Sequence, residues 1–216
     1  VLDRGQNFGG TWRDNTYPGA ACDVPSQLYS YSFELNPDWT RSYGHQPEIH
    51  RYINDVAVKY NIEAKTRWGS DVTRAEWNED ENRWHLEVTR NGTTEHYSAR
   101  TVVAAAGPLC EPNLPDIDGI DSFGGKIIHS ARWDNDYDFT GKRVAVIGTG
   151  WVASAGTHIF LGAPRERRFC LPNTRFLIHQ PSGGAGGRAS DIAIQAEEIV
   201  KMRERLARVI SEKTGQ

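Results

Sequence analysis

Three short stretches carry residue types at spacings that can do chemistry. Gly148-Thr-Gly150-Trp-Val-Ala153 has the G-x-G-x-x-A spacing and directly follows Val144 to Ile147, an apolar run that reads as a buried strand. In a dinucleotide-binding turn the first glycine makes the bend, the second lets backbone N–H groups approach a pyrophosphate, and the small third residue packs helix on strand. The same spacing suits a tight strand-to-helix turn with no ligand, and the motif alone leaves both readings open. Ser154 follows among small residues, where a hydroxyl beside a helix start can serve as a nucleophile. Asp3 ends Val1-Leu-Asp3, which reads as the last residues of a strand whose preceding element is expected upstream. An acid at that place in a dinucleotide-binding unit holds the adenosine ribose hydroxyls. Gly9-Gly10-Thr11-Trp12, then Tyr17-Pro18-Gly19 and Asp23, form the third stretch. Its glycines would let backbone approach a flat ligand, and Trp12 with Tyr17 would wall an apolar pocket, although core aromatics use the same residue types. For Asp23 the alternative is a loop cap.

The elements that must position these residues follow from periodicity. Pro47 and Glu48 open a helix whose apolar positions Ile49, Tyr52, Ile53, Val56, Ala57 and Tyr60 share one face. From Val72 the period changes to two, and Val72 to Trp77, Arg83 to Val88 and Glu95 to Tyr97 read as a meander with turns at Asn78 to Asn82 and Asn91-Gly92. Thr101 to Gly107 reads as a buried strand ending in glycine. Ser190 is a good N-cap for a last helix with Ile192, Ile199, Met202, Leu206 and Val209 along one face. At 216 residues, 38% hydrophobic and 25% charged, the chain suits one domain or two small ones. A net charge of -3 gives no reason to expect nucleic acid, and no apolar run is long enough to span a membrane. With no signal-peptide layout at its start, the expected location is cytoplasmic. Cys22, Cys110 and Cys170 are odd in number and far apart, so reduced thiols are expected and no metal site.

From Gly9 to Asp23 the chain resembles the [A/G]-G-x-W-x4-[F/Y]-P-[G/M]-x3-D signature of Baeyer-Villiger monooxygenases, flavin enzymes that insert oxygen beside a ketone, and it matches every specified position. Phe123, Gly125, His129 and Trp133 match the F-x-G-x3-H-x3-W fingerprint of the same family. By resemblance this fingerprint is a linker between flavin and nicotinamide domains, and His129 tunes their coupling; the other reading of His129 is a hydrogen-bonded structural residue. Gln46-Pro47-Glu48-Ile49 resembles the opening of the helix that supports the flavin domain, and Ala106 stands where the family's A-T-G turn has threonine. The resemblance implies FAD and NADPH as cofactors, with Asp3, Gly9, Gly10, Thr11, Trp12 and Asp23 on the flavin side and Gly148 and Gly150 in the second nucleotide turn.

From about residue 151 the chain resembles the Clp protease proteolytic subunit instead, on Val152-Ala-Ser154-Ala-Gly156, Arg168-Phe-Cys-Leu171-Pro172-Asn173 and Ile178-His179-Gln180-Pro181. That resemblance implies Ser154 as nucleophile and His179 as its base, with the orienting acid not among these residues. It also implies that Gly183 to Arg188 and the last helix form a handle between rings, hence a homo-oligomer. The expected fold is α/β: a partial dinucleotide-binding, Rossmann-like flavin domain with a β-meander over 1–115, a fingerprint linker over 116–140, and a βαβ unit with a C-terminal helix over 141–216. The expected function is that of a monooxygenase fragment joined to a Clp-type fragment and inactive alone, with a small-molecule ketone as substrate. The alternatives are a serine endopeptidase acting on peptides and a non-catalytic hybrid.

Overall fold

Two compact units, described separately below, are seen in the computed structural model of the chain, which describes residues 1–149, 151–153, 155–178 and 188–215. The first unit holds residues 1–19, 46–114 and 123–135, and the second holds 20–45, 115–122 and 136–216. The segment 116–140 is therefore shared between them, with the fingerprint residues in the first.

In the first unit, β1 (Leu2–Asp3) leads through the glycine stretch into the single turn α1 (Thr11–Asp14), and α2 (Gln46–Lys59) follows. Pro47 sits in the first turn of α2, where its missing N–H is harmless. The helical period buries Ile49, Val56 and Ala57, with Ile49 only 1% exposed. β2 (Arg67–Trp68) returns beside β1 in parallel, pairing Leu2 with Arg67 and Asp3 with Trp68. The meander is as the alternation predicts: β3 (Ser70–Asn78), β4 (Arg83–Arg90) and β5 (Thr93–Ala99) run antiparallel, with a bulge between Val72 and Arg74. Leu86 and Val88, two apart on β4, are buried, and Trp77 pairs with Trp84 across β3 and β4 at a ring-centroid distance of 5.7 Å. Asn91 and Gly92 both take positive φ, 50° and 76°, as the two-residue hairpin linking β4 to β5 requires.

Thr101 to Gly107 departs from expectation. It is in no strand, and Val103 is 85% exposed. Apolar β-branched residues favour a strand only where a neighbouring ladder takes their backbone groups, and none of the described strands does so here.

In the second unit, β6 (Val146–Gly148) and β7 (Trp151–Ala153) precede α3 (Ala155–Gly162), and β8 (Arg168–Cys170) and β9 (Arg175–Leu177) follow it. β6 pairs with β8 and β7 with β9, both parallel, so α3 is the crossover of a βαβ arrangement. The expected strand over Val144 to Ile147 starts two residues later and ends on Gly148. The Phe160 and Phe176 rings pack at 4.8 Å, and Val152, Leu161 and Ala163 of the same unit are buried. The chain ends in α4 (Ala189–Thr214), whose Met202, Leu206 and Val209 are half-buried while Ile192 and Ile194 remain exposed. No helix among the described residues is long and apolar enough to cross a membrane.

Candidate functional site

The glycine stretch is held by side chains from four directions within the first unit. Gly9 has φ 126° and Gly10 φ 49°, conformations that residues with a Cβ rarely adopt. A Cβ on Gly9 would stand 2.5 Å from His50 Cδ2, so the bare backbone there is also a packing requirement. After this bend α1 begins, with the Trp12 N–H donating to the Gly9 carbonyl at 2.9 Å.

Asp3, at the end of β1, faces the same stretch. Its Oδ1 accepts the Gly5 N–H at 2.6 Å and an Arg13 Nη1 hydrogen bond at 3.3 Å. Arg13 also donates to the Asn7 carbonyl at 2.8 Å and grips Asp14 with two hydrogen bonds, Nε to Oδ1 at 2.7 Å and Nη2 to Oδ2 at 3.2 Å. Burial alone would push the Asp14 carboxyl up. The Arg13 hydrogen bonds and charge, with Arg132 and Cys110 contributing, outweigh it and hold Asp14 below the usual carboxylate range. Asp14 is therefore a charged anchor for Arg13, and Arg13 ties Asp3 to α1.

The third side is the loop after the meander. Asn15 Nδ2 donates to the Leu109 carbonyl at 3.0 Å, and the buried Cys110 thiol lies 3.9 Å from Thr11 Oγ1. Arg132 Nη1 donates to the Cys110 carbonyl at 2.9 Å, which brings the fingerprint segment against this loop. The fourth side is α2, where the Gln46 side-chain amide donates to the Trp12 carbonyl and His50 Nε2 donates to the Phe8 carbonyl at 2.8 Å.

The fingerprint residues are local structural devices in this arrangement. A Cβ on Gly125 would fall 2.5 Å from the exposed Phe123 ring, so glycine at the third place lets the F-x-G pair fold the ring back over its own backbone. His129 caps the 3₁₀ turn Ser130–Arg132: its Nδ1 accepts the Ala131 N–H at 3.1 Å, which puts the proton of the neutral ring on Nε2. Burial, aided by the Arg132 charge, holds the His129 pKa below its ordinary value. Trp133 leaves the turn in an extended conformation.

Among the other expected site residues, Tyr17 is half-buried in the first unit, and burial raises its phenol pKa. Asp23 is exposed in the second unit, beside a buried Cys22 whose Sγ accepts the Val24 N–H at 3.3 Å. Gly148 is buried at the end of β6, and a Cβ there would meet Val152 Cγ2 at 3.0 Å and Phe176 Cζ at 3.4 Å. Because residues 151–153 continue as β7, the helix starts only at Ala155. Gly148 thus sits in a strand and packs closely there, where the spacing led one to expect a turn opening directly into a helix. Gly150, Ser154 and His179 lie outside the described residues. Motif matching passes over Arg13, His50, Cys110 and Arg132, and names Gln46 only as the opening of a helix. A faint signal existed for two of them, since Gln46 and His50 stand at i, i+4 and share a helix face.

The small parallel and antiparallel sheets, with helices between them, make this a mixed α/β protein. The flavin-binding monooxygenase-like family model matches residues 7–163, and the chain belongs to that family. A Clp protease model matches residues 117–216, overlapping the first match. Among curated relatives, a Baeyer-Villiger monooxygenase of Streptomyces coelicolor is 51% identical over 150 residues, covering 69% of this chain and 28% of the relative. One of Pseudomonas aeruginosa is 46% identical over 150 residues, with the same two coverages. The chain thus spans 28% of the length of these relatives. Among solved structures, OTEMO in complex with FAD and NADP has a TM-score of 0.65 at 36% identity, covering 74% of this chain and 31% of that one. The open structure of cyclohexanone monooxygenase has a TM-score of 0.64 at 30% identity, covering 94% of this chain and 40% of the other.

Proposed function

We propose that residues 1 to about 150 contribute the flavin-holding part, and the start of the nicotinamide-nucleotide part, of a Baeyer-Villiger-type monooxygenase that uses FAD and NADPH on a small-molecule ketone. The observation that carries this reading is the positive-φ bend at Gly9 and Gly10, next to Asp3 and braced by Arg13. The residues present fit the cofactor: the nearest atom to a Cβ placed on Gly10 would be Cys110 Sγ at 3.8 Å, which leaves the backbone there open to a flat ligand, and both described hydrogen bonds to Asp3 end on one carboxylate oxygen. Asp3 would accept the ribose hydroxyls, and Gly9, Gly10, Thr11 and Trp12 would line the flavin. Asp23 would be a further flavin-side residue, and Gly148 and Gly150 would be the NADPH-side residues. Bound FAD, reduced by NADPH, would supply the electrons for dioxygen to react with a ketone. The domain reading is a flavin domain over 1–115, a fingerprint segment over 116–140 and a βαβ unit over 141–216, in a soluble cytoplasmic protein. The test is the visible spectrum of the chain after incubation with excess FAD and removal of free cofactor. A retained flavin band supports the reading, and a colourless chain that also leaves FAD fluorescence unquenched refutes it.

A second reading is favoured by the Clp protease match at 117–216 together with the strand, helix and strand of β7, α3 and β9 around residue 154. In it the chain is a hybrid with a seam near residue 151, Ser154 is paired with His179, and α4 joins copies of the chain in an oligomer. Peptide hydrolysis would require an orienting acid and an oxyanion pocket supplied in addition. Labelling of the chain, but not of a Ser154→Ala variant, by a fluorophosphonate would establish it. Absence of labelling leaves the segment as a non-catalytic part of the hybrid.

A further inference from the structure

The glycine bend uses its carbonyls in an uneven way. The Gly9, Gly10 and Thr11 carbonyls accept the N–H groups that build α1. The carbonyls on either side of the bend, Phe8 and Trp12, take side-chain donors from one face of α2: His50 reaches Phe8 and Gln46 reaches Trp12. The four-residue spacing of the two donors stacks them about one helical turn apart, a rise of about 6 Å, so that they hold the two ends of the bend. Both feet of this brace are anchored. Ile49, between the donors in sequence, is 1% exposed, and the Phe8 ring packs edge-on against Trp68 at 4.6 Å. The His50 ring also fills the space that a Cβ on Gly9 would need.

We propose that Gln46 and His50 are positioning residues that hold the Gly9–Gly10 bend in its positive-φ form before any ligand arrives, so that flavin meets a preorganised surface. The proposal rests on the flavin-binding reading for its consequence, but the brace itself is a property of the chain alone. Each donor contributes one hydrogen bond to a carbonyl, and its loss frees the bend to sample other conformations, as glycine does more readily than any other residue. Preorganisation of this kind raises affinity by removing the ordering cost from the binding step.

The experiment uses the full 216-residue chain and its His50→Leu, His50→Gln and Gln46→Leu variants. Leucine keeps bulk beside Gly9 without a donor, and glutamine restores an N–H at a reach similar to Nε2. Amide hydrogen exchange without flavin is expected to rise about five- to tenfold over residues 9–15 in both leucine variants, on the scale of one hydrogen bond. It should stay at the parent rate in the meander, residues 70–99, and return to the parent rate over residues 9–15 in His50→Gln. FAD titration by fluorescence quenching should show the same order, with affinity about five- to tenfold weaker in the leucine variants. Unchanged exchange in the bend, failure of glutamine to restore it, or an equal rise across the meander would each overturn the brace. Should the parent fail to bind FAD, the flavin reading fails, while the exchange measurement still decides whether the brace exists. A parent that binds FAD, with loosened leucine variants that bind it equally well, would overturn the positioning role.

Discussion

Replacing His129 separates a structural role for the fingerprint histidine from a role in coupling. Its Nδ1 is the acceptor for the N–H of Ala131, a residue only 3% exposed, so the bond satisfies a donor with poor access to water. Loss of a helix-capping acceptor typically costs about 1 kcal/mol, and a buried N–H left unsatisfied costs about 1–3 kcal/mol. Because His129 itself is only half-buried, the lower part of that range applies to His129→Leu, about 1–2 kcal/mol. At roughly 2–4 °C per kcal/mol for a chain of 216 residues, Tm should fall by about 2–8 °C. The bond also imposes a pH dependence, since only deprotonated Nδ1 accepts. Burial and the Arg132 charge lower the folded-state pKa below the unfolded value of about 6.5. The unfolded chain then binds the proton more readily, so this stabilisation is present above about pH 6.5 and is lost as pH falls through the lower folded value. His129→Asn keeps a capping oxygen that does not titrate in this range. Its thermal unfolding, followed by circular dichroism from pH 8 to pH 5, should retain the parent stability at pH 8 and lack this acid-side decline. A His129→Leu variant that melts with the parent at pH 8, or a parent decline that persists unchanged in His129→Asn, would refute the reasoning.

Val88→Ala removes two methyl groups from a fully buried site on β4, and the transfer and cavity contributions together should cost about 2–3 kcal/mol in urea unfolding. Gly148→Ala places a methyl 3.0 Å from Val152 and 3.4 Å from Phe176, so overpacking of about 1–3 kcal/mol is expected in the second unit; a neutral result would show that those side chains yield. Asp14 is held charged by Arg13, and its contribution should be present above about pH 4 and lost as pH falls through its depressed folded value. Acid titration of Asp14→Asn should show a flatter decline below pH 4 than the parent.

Local chemistry determined much of this protein from sequence alone. The period-two alternation, with Asn91-Gly92 at its turn, places β4 and β5 because neighbouring side chains and two positive-φ residues suffice to specify a hairpin. Pro47, Glu48 and the apolar positions of α2 are likewise read from one turn to the next. Gly9 and Gly10 announce a special backbone without stating what occupies the space beside them. Only the tertiary structure supplies the His50 ring there, because that contact joins residues 41 positions apart. Spacing misjudged the surroundings of Gly148 for the same reason: G-x-G describes a backbone that can bend, while Val152, Phe160 and Phe176 decide whether it does. Thr101 to Gly107 carries strand-forming residues and still forms no strand, since a ladder requires a second chain segment beside it and a sequence pattern names only one partner.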